Sequence, residues 1–126
     1  NQNNLGLISV FRDALLVLNN STVSGNTVTF GQTGILVASY ASRISLNNVT
    51  MHNNTGANIF LRGFAEFGPT TVDLFNSSIT GSTGLNCFLE PNFQNGAIFK
   101  FGTNLDDDGS CGAELTGNPY DIYVKI

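Results

Sequence analysis

A chain of 126 residues and 13.4 kDa supplies one domain with a modest core, which excludes a multi-domain protein. Apolar residues make up 41% of it and charged residues 11%, which excludes both a charge-rich disordered tail and a coiled coil. Five Lys and Arg stand against nine Asp and Glu for a net charge of -4, and the cations are scattered at Arg12, Arg43, Arg62, Lys100 and Lys125, so no basic patch exists to hold a nucleic acid.

The chain opens at Asn1 with neither an initiator Met nor a signal-peptide pattern, and the expectation is a processed piece of a longer precursor. Its longest apolar runs, Ala14 to Leu18 and Gly34 to Ala38, are strand-sized and far short of the ~18 residues that insertion in a bilayer takes. Small polar residues take the place of charges: 17 Asn, 12 Thr and 10 Ser leave a surface of amides and hydroxyls, as in many extracellular β-proteins.

The first apolar segment, Leu7-Ile8-Ser9-Val10, returns 28 residues on as Ile35-Leu36-Val37-Ala38. The next, Leu18-Asn19-Asn20-Ser21-Thr22-Val23-Ser24-Gly25-Asn26-Thr27, returns at the same offset from Leu46 to Thr55 and again from Leu74 to Thr83. Asn58-Ile59-Phe60-Leu61 likewise precedes Asn86-Cys87-Phe88-Leu89 by 28. Within the units apolar and polar residues tend to alternate, as in Ile44-Ser45-Leu46 and Val72-Asp73-Leu74, and a period of two means strands.

A short unit of strands and Asn/Gly/Ser corners cannot bury its apolar face alone, so successive units must stack and share a core. The fold class expected is all-β, a right-handed parallel β-helix of about four coils. The coils span about residues 5–101, and an acidic turn and terminal strand fill about 102–126. Leu18, Leu46 and Leu74 form one inward ladder; Val23, Met51 and Ile79 form another. Asn20, Asn48 and Asn76 share one bend and read as an inward asparagine ladder. Asn19, Asn20, Asn48, Asn53 and Asn76 are also glycosylation sequons, a use that competes with the ladder.

If Leu61 takes the place of Val37, the following link is four residues longer, and the extra residues fall within Arg62 to Pro69, a loop of the kind that solenoids use for binding. Phe60, Phe64, Phe67, Phe88, Phe93, Phe99 and Phe101 crowd the second half and are expected in the core ladder or in loop packing, with Phe64 and Phe67 as an alternative contact patch. Asn104 to Gly109 approximates the start of a calcium loop, with Asn104, Asp106 and Asp108 as ligands, but position twelve is Leu115 rather than Glu and Glu114 falls one residue early. A solvated acidic turn that discourages strand docking is the preferred reading. Tyr120 to Ile126 alternates to the last residue after Asn118-Pro119, with Tyr120, Ile122, Tyr123, Val124 and Ile126 as the residues of a pairing strand.

The strings Asn20 to Asn26, Leu46 to Gly56, Asn76 to Ser82 and the closing Gly-Thr-Asn-Leu-Asp-Asp-Asp-Gly-Ser-Cys at 102–111 resemble the C-terminal coils of bacterial secreted right-handed β-helix proteins of the choice-of-anchor Q and polymorphic outer-membrane-protein-like type. The resemblance covers about residues 16–112. It implies a pectate-lyase-like fold, export, and an extracellular or cell-surface role, and it implies no particular reaction. It also places a cysteine at both Cys87 and Cys111, which with the even count points to a disulfide; two buried free thiols are the alternative.

Polysaccharide-cleaving β-helices need carboxylates or a metal together with a cation for the sugar acid. Only Arg43, Arg62, Glu66, Asp73 and His52 stand in or beside the coils, and each reads first as a solvated residue. Phosphate loops, Cys/His metal clusters and serine-hydrolase elbows are missing from the sequence. The expectation is therefore a non-enzymatic structural or surface module without a cofactor, calcium aside. It would associate end to end with copies of itself, or with the rest of its precursor, through open edges and the C-terminal strand. The alternatives are a carbohydrate-binding or adhesin fragment using the flat face and the Arg62 to Pro69 loop and, behind them, the remnant of a polysaccharide-degrading enzyme.

Overall fold

The computed structural model describes residues 6–28, 34–63, 68–90 and 96–112. Twelve strands and no helix occupy them. The first coil comprises β1 (Ile8–Phe11), β2 (Leu15–Asn19) and β3 (Thr22–Ser24), and the second β4 (Gly34–Ser39), β5 (Arg43–Asn47) and β6 (Thr50–His52). The third comprises β7 (Ala57–Arg62), β8 (Thr70–Phe75) and β9 (Ser78–Ile79), and the fourth β10 (Cys87–Leu89), β11 (Gly96–Phe101) and β12 (Leu105–Asp106).

Equivalent strands pair in parallel into three four-stranded sheets: sheet A is β1-β4-β7-β10, sheet B is β2-β5-β8-β11 and sheet C is β3-β6-β9-β12. This is a parallel β-helix. Four rungs per sheet make about three turns of the solenoid from the first rung to the last.

The register follows the repeat. Leu18 pairs with Leu46 and Leu46 with Leu74, and Val23, Met51 and Ile79 align in the same way. Leu36, Ile44, Leu46, Met51, Ile59, Leu61 and Ile79 are fully buried, each contributing about 1.5–3 kcal/mol by leaving water. The insertion differs by one residue from expectation: Phe60, not Leu61, lies opposite Val37, and Leu61 lies opposite Ala38. Inward residues must stay in phase with the pleat, and this register puts Leu36 over Ile59 and Ala38 over Leu61 inside. Residues 64–67 of that loop, with Phe64, Glu66 and Phe67, lie outside the described residues.

Phe60 is buried as expected, but none of the described rings joins the central ladders, which corrects the rest of the aromatic expectation. Phe60, Phe88, Phe99 and Phe101 alternate with the core residues of their strands and stay out of the central cluster. Phe60 and Phe88 face each other at 5.3 Å on sheet A, and Phe75 and Phe101 stack at 4.7 Å on sheet B. Outward columns of the pleat accept rings, whereas the interior is filled by aliphatic side chains. Phe93 lies outside the described residues.

Corners take left-handed dihedrals. Arg12 and Asp13, and one coil later Tyr40 and Ala41, turn sheet A into sheet B, while Asn20, Asn48 and Asn76 turn sheet B into sheet C with φ of 51°, 55° and 49°. Asparagine tolerates that region better than other side chains. The three Asn therefore share a bend, but their side chains are exposed, which corrects the inward orientation expected of them. Among the described residues, Asn76 alone of the three bonds along the stack, its Oδ1 accepting from Thr103 N at 2.9 Å. Directly beneath it Gly102 has φ 75°, and a Cβ there would run into the Asn76 amide oxygen.

Candidate functional site

A different set of asparagines lines the interior between sheets C and A. Asn54 Oδ1 accepts from Asn26 N at 2.9 Å, and Asn54 Nδ2 donates to Val23 O at 3.1 Å and to Asn58 Oδ1 at 2.8 Å. Asn58 Nδ2 donates to Asn86 Oδ1 at 3.0 Å, and Asn86 Nδ2 donates to Asp106 Oδ1 at 3.0 Å and Asp107 Oδ1 at 2.7 Å. Asn54, Asn58 and Asn86 are buried, so each bond replaces water that the site excludes. Their signal was present in the sequence, since Asn58 and Asn86 are 28 apart.

This column leads into the closing turn at the fourth rung. There the inward ladders change chemistry: Lys100 takes the place below Leu74, and Asp106 the place below Ile79. Both are about 1% exposed. Lys100 Nζ donates to Cys111 O at 3.4 Å, and Asp106 Oδ2 accepts from Cys111 N at 2.7 Å. Cys111 is itself buried in the core cluster and joined to Cys87 by a disulfide, with Cα atoms 4.9 Å apart. The turn thus folds across the end of the solenoid, and its side chains serve the last strand of sheet A: Asp108 Oδ2 accepts from Asn86 N at 2.9 Å and Ser110 Oγ from Cys87 N at 2.8 Å.

The residues expected at a calcium loop are divided. The carboxylates of Asp106, Asp107 and Asp108 come together within 4.8 Å, but Asn104 turns away. Its Oδ1 accepts from Ser77 N at 2.7 Å and its Nδ2 donates to Leu74 O and Phe101 O, inside the neighbouring corner. Asp106 and Asp108 spend oxygens on Cys111 N, Asn86 N and Ser110 N, so the cluster holds chain groups together. Burial pushes the Asp106 carboxyl above its ordinary range, reinforced by Asp108 and opposed by hydrogen bonds from Asn86 and Cys111 N. Burial also pushes Asp108 upward, but the Ser110 hydroxyl and amide and the Asn86 amide outweigh it and hold it below that range.

The first rung is the opposite case. Its inward residues Val10, Leu16, Leu18 and Val23 are only half-buried, and Ile8, Phe11, Leu15 and Val17 are exposed. No described residue pairs with the outer edges of β1, β2 and β3. Their equivalents one rung below, Ala38, Ile44, Leu46 and Met51, are fully covered. The expected pairing residues Tyr120, Ile122, Tyr123, Val124 and Ile126 lie outside the described residues, as do Glu114 and Leu115.

Among the remaining charged candidates, Arg43 Nε donates to Asp73 Oδ2 at 2.8 Å and its Nη2 reaches the same oxygen. Arg62 Nη2 lies 3.4 Å from Glu90 Oε1, while Arg62 Nε and Glu90 Oε2 are buried without a hydrogen-bond partner among the described residues. His52 aligns with Ser24 on sheet C, half-buried and distant in register from either pair. Among the described residues no helix is long and apolar enough to cross a membrane. No family model, no curated protein and no solved structure matches the chain. The solenoid has a polar, covalently fastened end and, at the first rung, an apolar end whose outer edge no described residue pairs.

Proposed function

We propose that this chain is a non-enzymatic structural module of an extracellular or cell-surface assembly, a β-helix of the pectate-lyase-like, choice-of-anchor kind that associates end to end. The first rung accepts a strand from another copy, and Tyr120 to Ile126 is the strand donated. The observation that carries this reading is the half-burial of Val10, Leu16, Leu18 and Val23 beside exposed Ile8, Leu15 and Val17, on a rung whose outer edge no described residue pairs.

Main-chain pairing gives such a contact its affinity and alternate side chains its register. The alternation of Tyr120, Ile122, Val124 and Ile126 offers one apolar face to the uncovered interior. At the far end, Asp108 and Ser110 already occupy the N–H groups of Asn86 and Cys87, so growth there would first have to displace the turn. A donor and an acceptor at different places make a heterologous contact, which runs on as a filament when it does not close.

Light scattering and negative-stain microscopy of the full chain and of a chain lacking residues 120–126 test the proposal. Assemblies that vanish with the deletion, and reappear when a peptide of that sequence fused to a second copy is added, support it. Monomers in both cases, or assemblies that survive the deletion, overturn it.

A further inference from the structure

Half-burial of the inward residues does not account for everything exposed on the first rung. On β2 the residues that point outward, Leu15 and Val17, are 60% and 44% exposed. Their columns continue on the outer face of sheet B as Arg43 and Thr71 and as Ser45 and Asp73, and turn apolar again at Ala97 and Phe99 on the last rung. Capping the interior leaves outward residues as they are. A strand hydrogen-bonded to the edge of β2 is what brings side chains beside them, about 4.8 Å away.

We infer that the incoming strand of the end-to-end association proposed above, on which this inference rests, docks along β2 at the edge of sheet B with Tyr123 beside Val17. β2 is the longest strand of the first rung, five residues against four in β1 and three in β3. The left-handed pair Arg12 and Asp13 ends the edge of β1 after Phe11, and β3 turns only Thr22 and Ser24 outward, whose hydroxyls water serves as well as a strand does. The described strands of sheet B pair in parallel, and a strand that continues the sheet runs the same way.

Register follows from the pleat. Ile122 and Val124 lie over the half-buried Leu16 and Leu18 and close the interior, which sets Asp121, Tyr123 and Lys125 beside Leu15, Val17 and Asn19 on the outer face. An aromatic ring beside a β-branched side chain is a favourable neighbour pair. A slip of one residue turns Asp121 and Lys125 inward, two charges into an apolar interior. A slip of two toward the start of β2 sets Asp121 beside Asp13, like charge against like. The opposite slip carries Val124 onto the left-handed corner at Asn20 and brings Pro119, which has no N–H for the ladder, beside Leu15.

The test places the photo-crosslinker p-benzoylphenylalanine at position 123 of the full chain, irradiates the assemblies and maps the adducts by peptide mass spectrometry, alongside light scattering of Val17→Asp and Thr22→Asp. The expected adducts join position 123 of one copy to the segment Leu15 to Asn19 of the next. Val17→Asp, an exposed change outside the interior, should raise the concentration at half-assembly at least tenfold, and Thr22→Asp less than twofold. Circular dichroism checks that both keep the fold of the parent, and the adducts decide alone if Val17→Asp departs from it. Interchain adducts on β1 or β3, or a Val17→Asp chain that assembles like the parent, overturn docking on β2 and leave end-to-end association standing. A parent chain that forms no assemblies overturns that association and this inference with it.

Discussion

The two sets of asparagines carry opposite consequences for mutation, and Asn58→Ala measures the difference. Asn58 is fully buried and links two neighbours, its Oδ1 accepting from Asn54 Nδ2 at 2.8 Å and its Nδ2 donating to Asn86 Oδ1 at 3.0 Å. Truncation removes both bonds. Asn54 Nδ2 keeps Val23 O, so that loss is an ordinary hydrogen bond of about 1 kcal/mol. Asn86 Oδ1 has no other described donor, and a buried acceptor left unmade costs about 1–3 kcal/mol. The expected destabilisation is about 3 kcal/mol, or roughly 1.5 M in the urea midpoint for a slope of about 2 kcal/mol/M.

Asn48 serves its backbone, with φ 55° and an exposed side chain. Asn48→Gly removes that side chain and keeps access to the left-handed region, so stability should change by no more than about 0.5 kcal/mol, or roughly 0.25 M in the midpoint. Equilibrium urea unfolding followed by far-ultraviolet circular dichroism checks both. A midpoint for Asn58→Ala within error of the parent, or a larger loss for Asn48→Gly than for Asn58→Ala, would refute the assignment of the interior column.

Leu46→Ala should cost about 4 kcal/mol because Leu18 and Leu74 enclose it, whereas Leu18→Ala on the half-covered first rung should cost about half as much; equal losses in urea unfolding would contradict an uncovered rung. Replacing both Cys87 and Cys111 by Ala opens a crosslink spanning 24 residues and should lower stability by about 3 kcal/mol, read as a midpoint difference that reductant abolishes in the parent. Asp106 and Asp108 should respond to acid with opposite signs. Asp106, raised in the fold, binds its proton more readily there than when unfolded, so the parent gains stability relative to Asp106→Asn as pH falls through the raised value. Asp108, lowered in the fold, contributes stability above the ordinary aspartate range that is lost as pH falls through its native value. Urea midpoints between pH 7 and pH 3 for the parent and both Asn variants decide this, and parallel curves would refute it.

The fold was legible because a solenoid converts sequence period into spatial neighbourhood: residues 28 apart in the string, such as Leu18 and Leu46, lie one rung apart in the stack. Alternation then told inward from outward within a strand, and it fails at corners, where no period of two exists. Asn20, Asn48 and Asn76 were identifiable as corner residues, but which way a corner side chain points depends on the left-handed dihedral turning it out to solvent. The ionic rung was hidden for another reason. Between the third and fourth coils of sheet B the offset shortens to 26, so Lys100 comes to lie below Leu74 without belonging to any visible repeat. Arg43 and Asp73 are 30 apart because their contact is a diagonal across one rung, a relation that exists only once sheet B is assembled.

The interior chemistry makes the two ends unequal before any surface feature does. A rung stacks on the next by laying apolar residues over apolar residues, as Leu18, Leu46 and Leu74 do. Under Leu74 and Ile79 that series passes to Lys100 and Asp106, whose charged groups are satisfied by the main chain of Cys111 and by Asn86. Placing an apolar rung against them would remove the turn that supplies those partners and leave buried charges without compensation, at a cost of several kcal/mol. Burying the half-covered Val10, Leu16, Leu18 and Val23 under another strand has no such penalty and gains about 25 cal/mol for each Å² of apolar surface covered. In the association proposed above, the residues inside the solenoid would direct strand pairing toward the first rung, while the disulfide between Cys87 and Cys111 fastens the turn at the other end to the core.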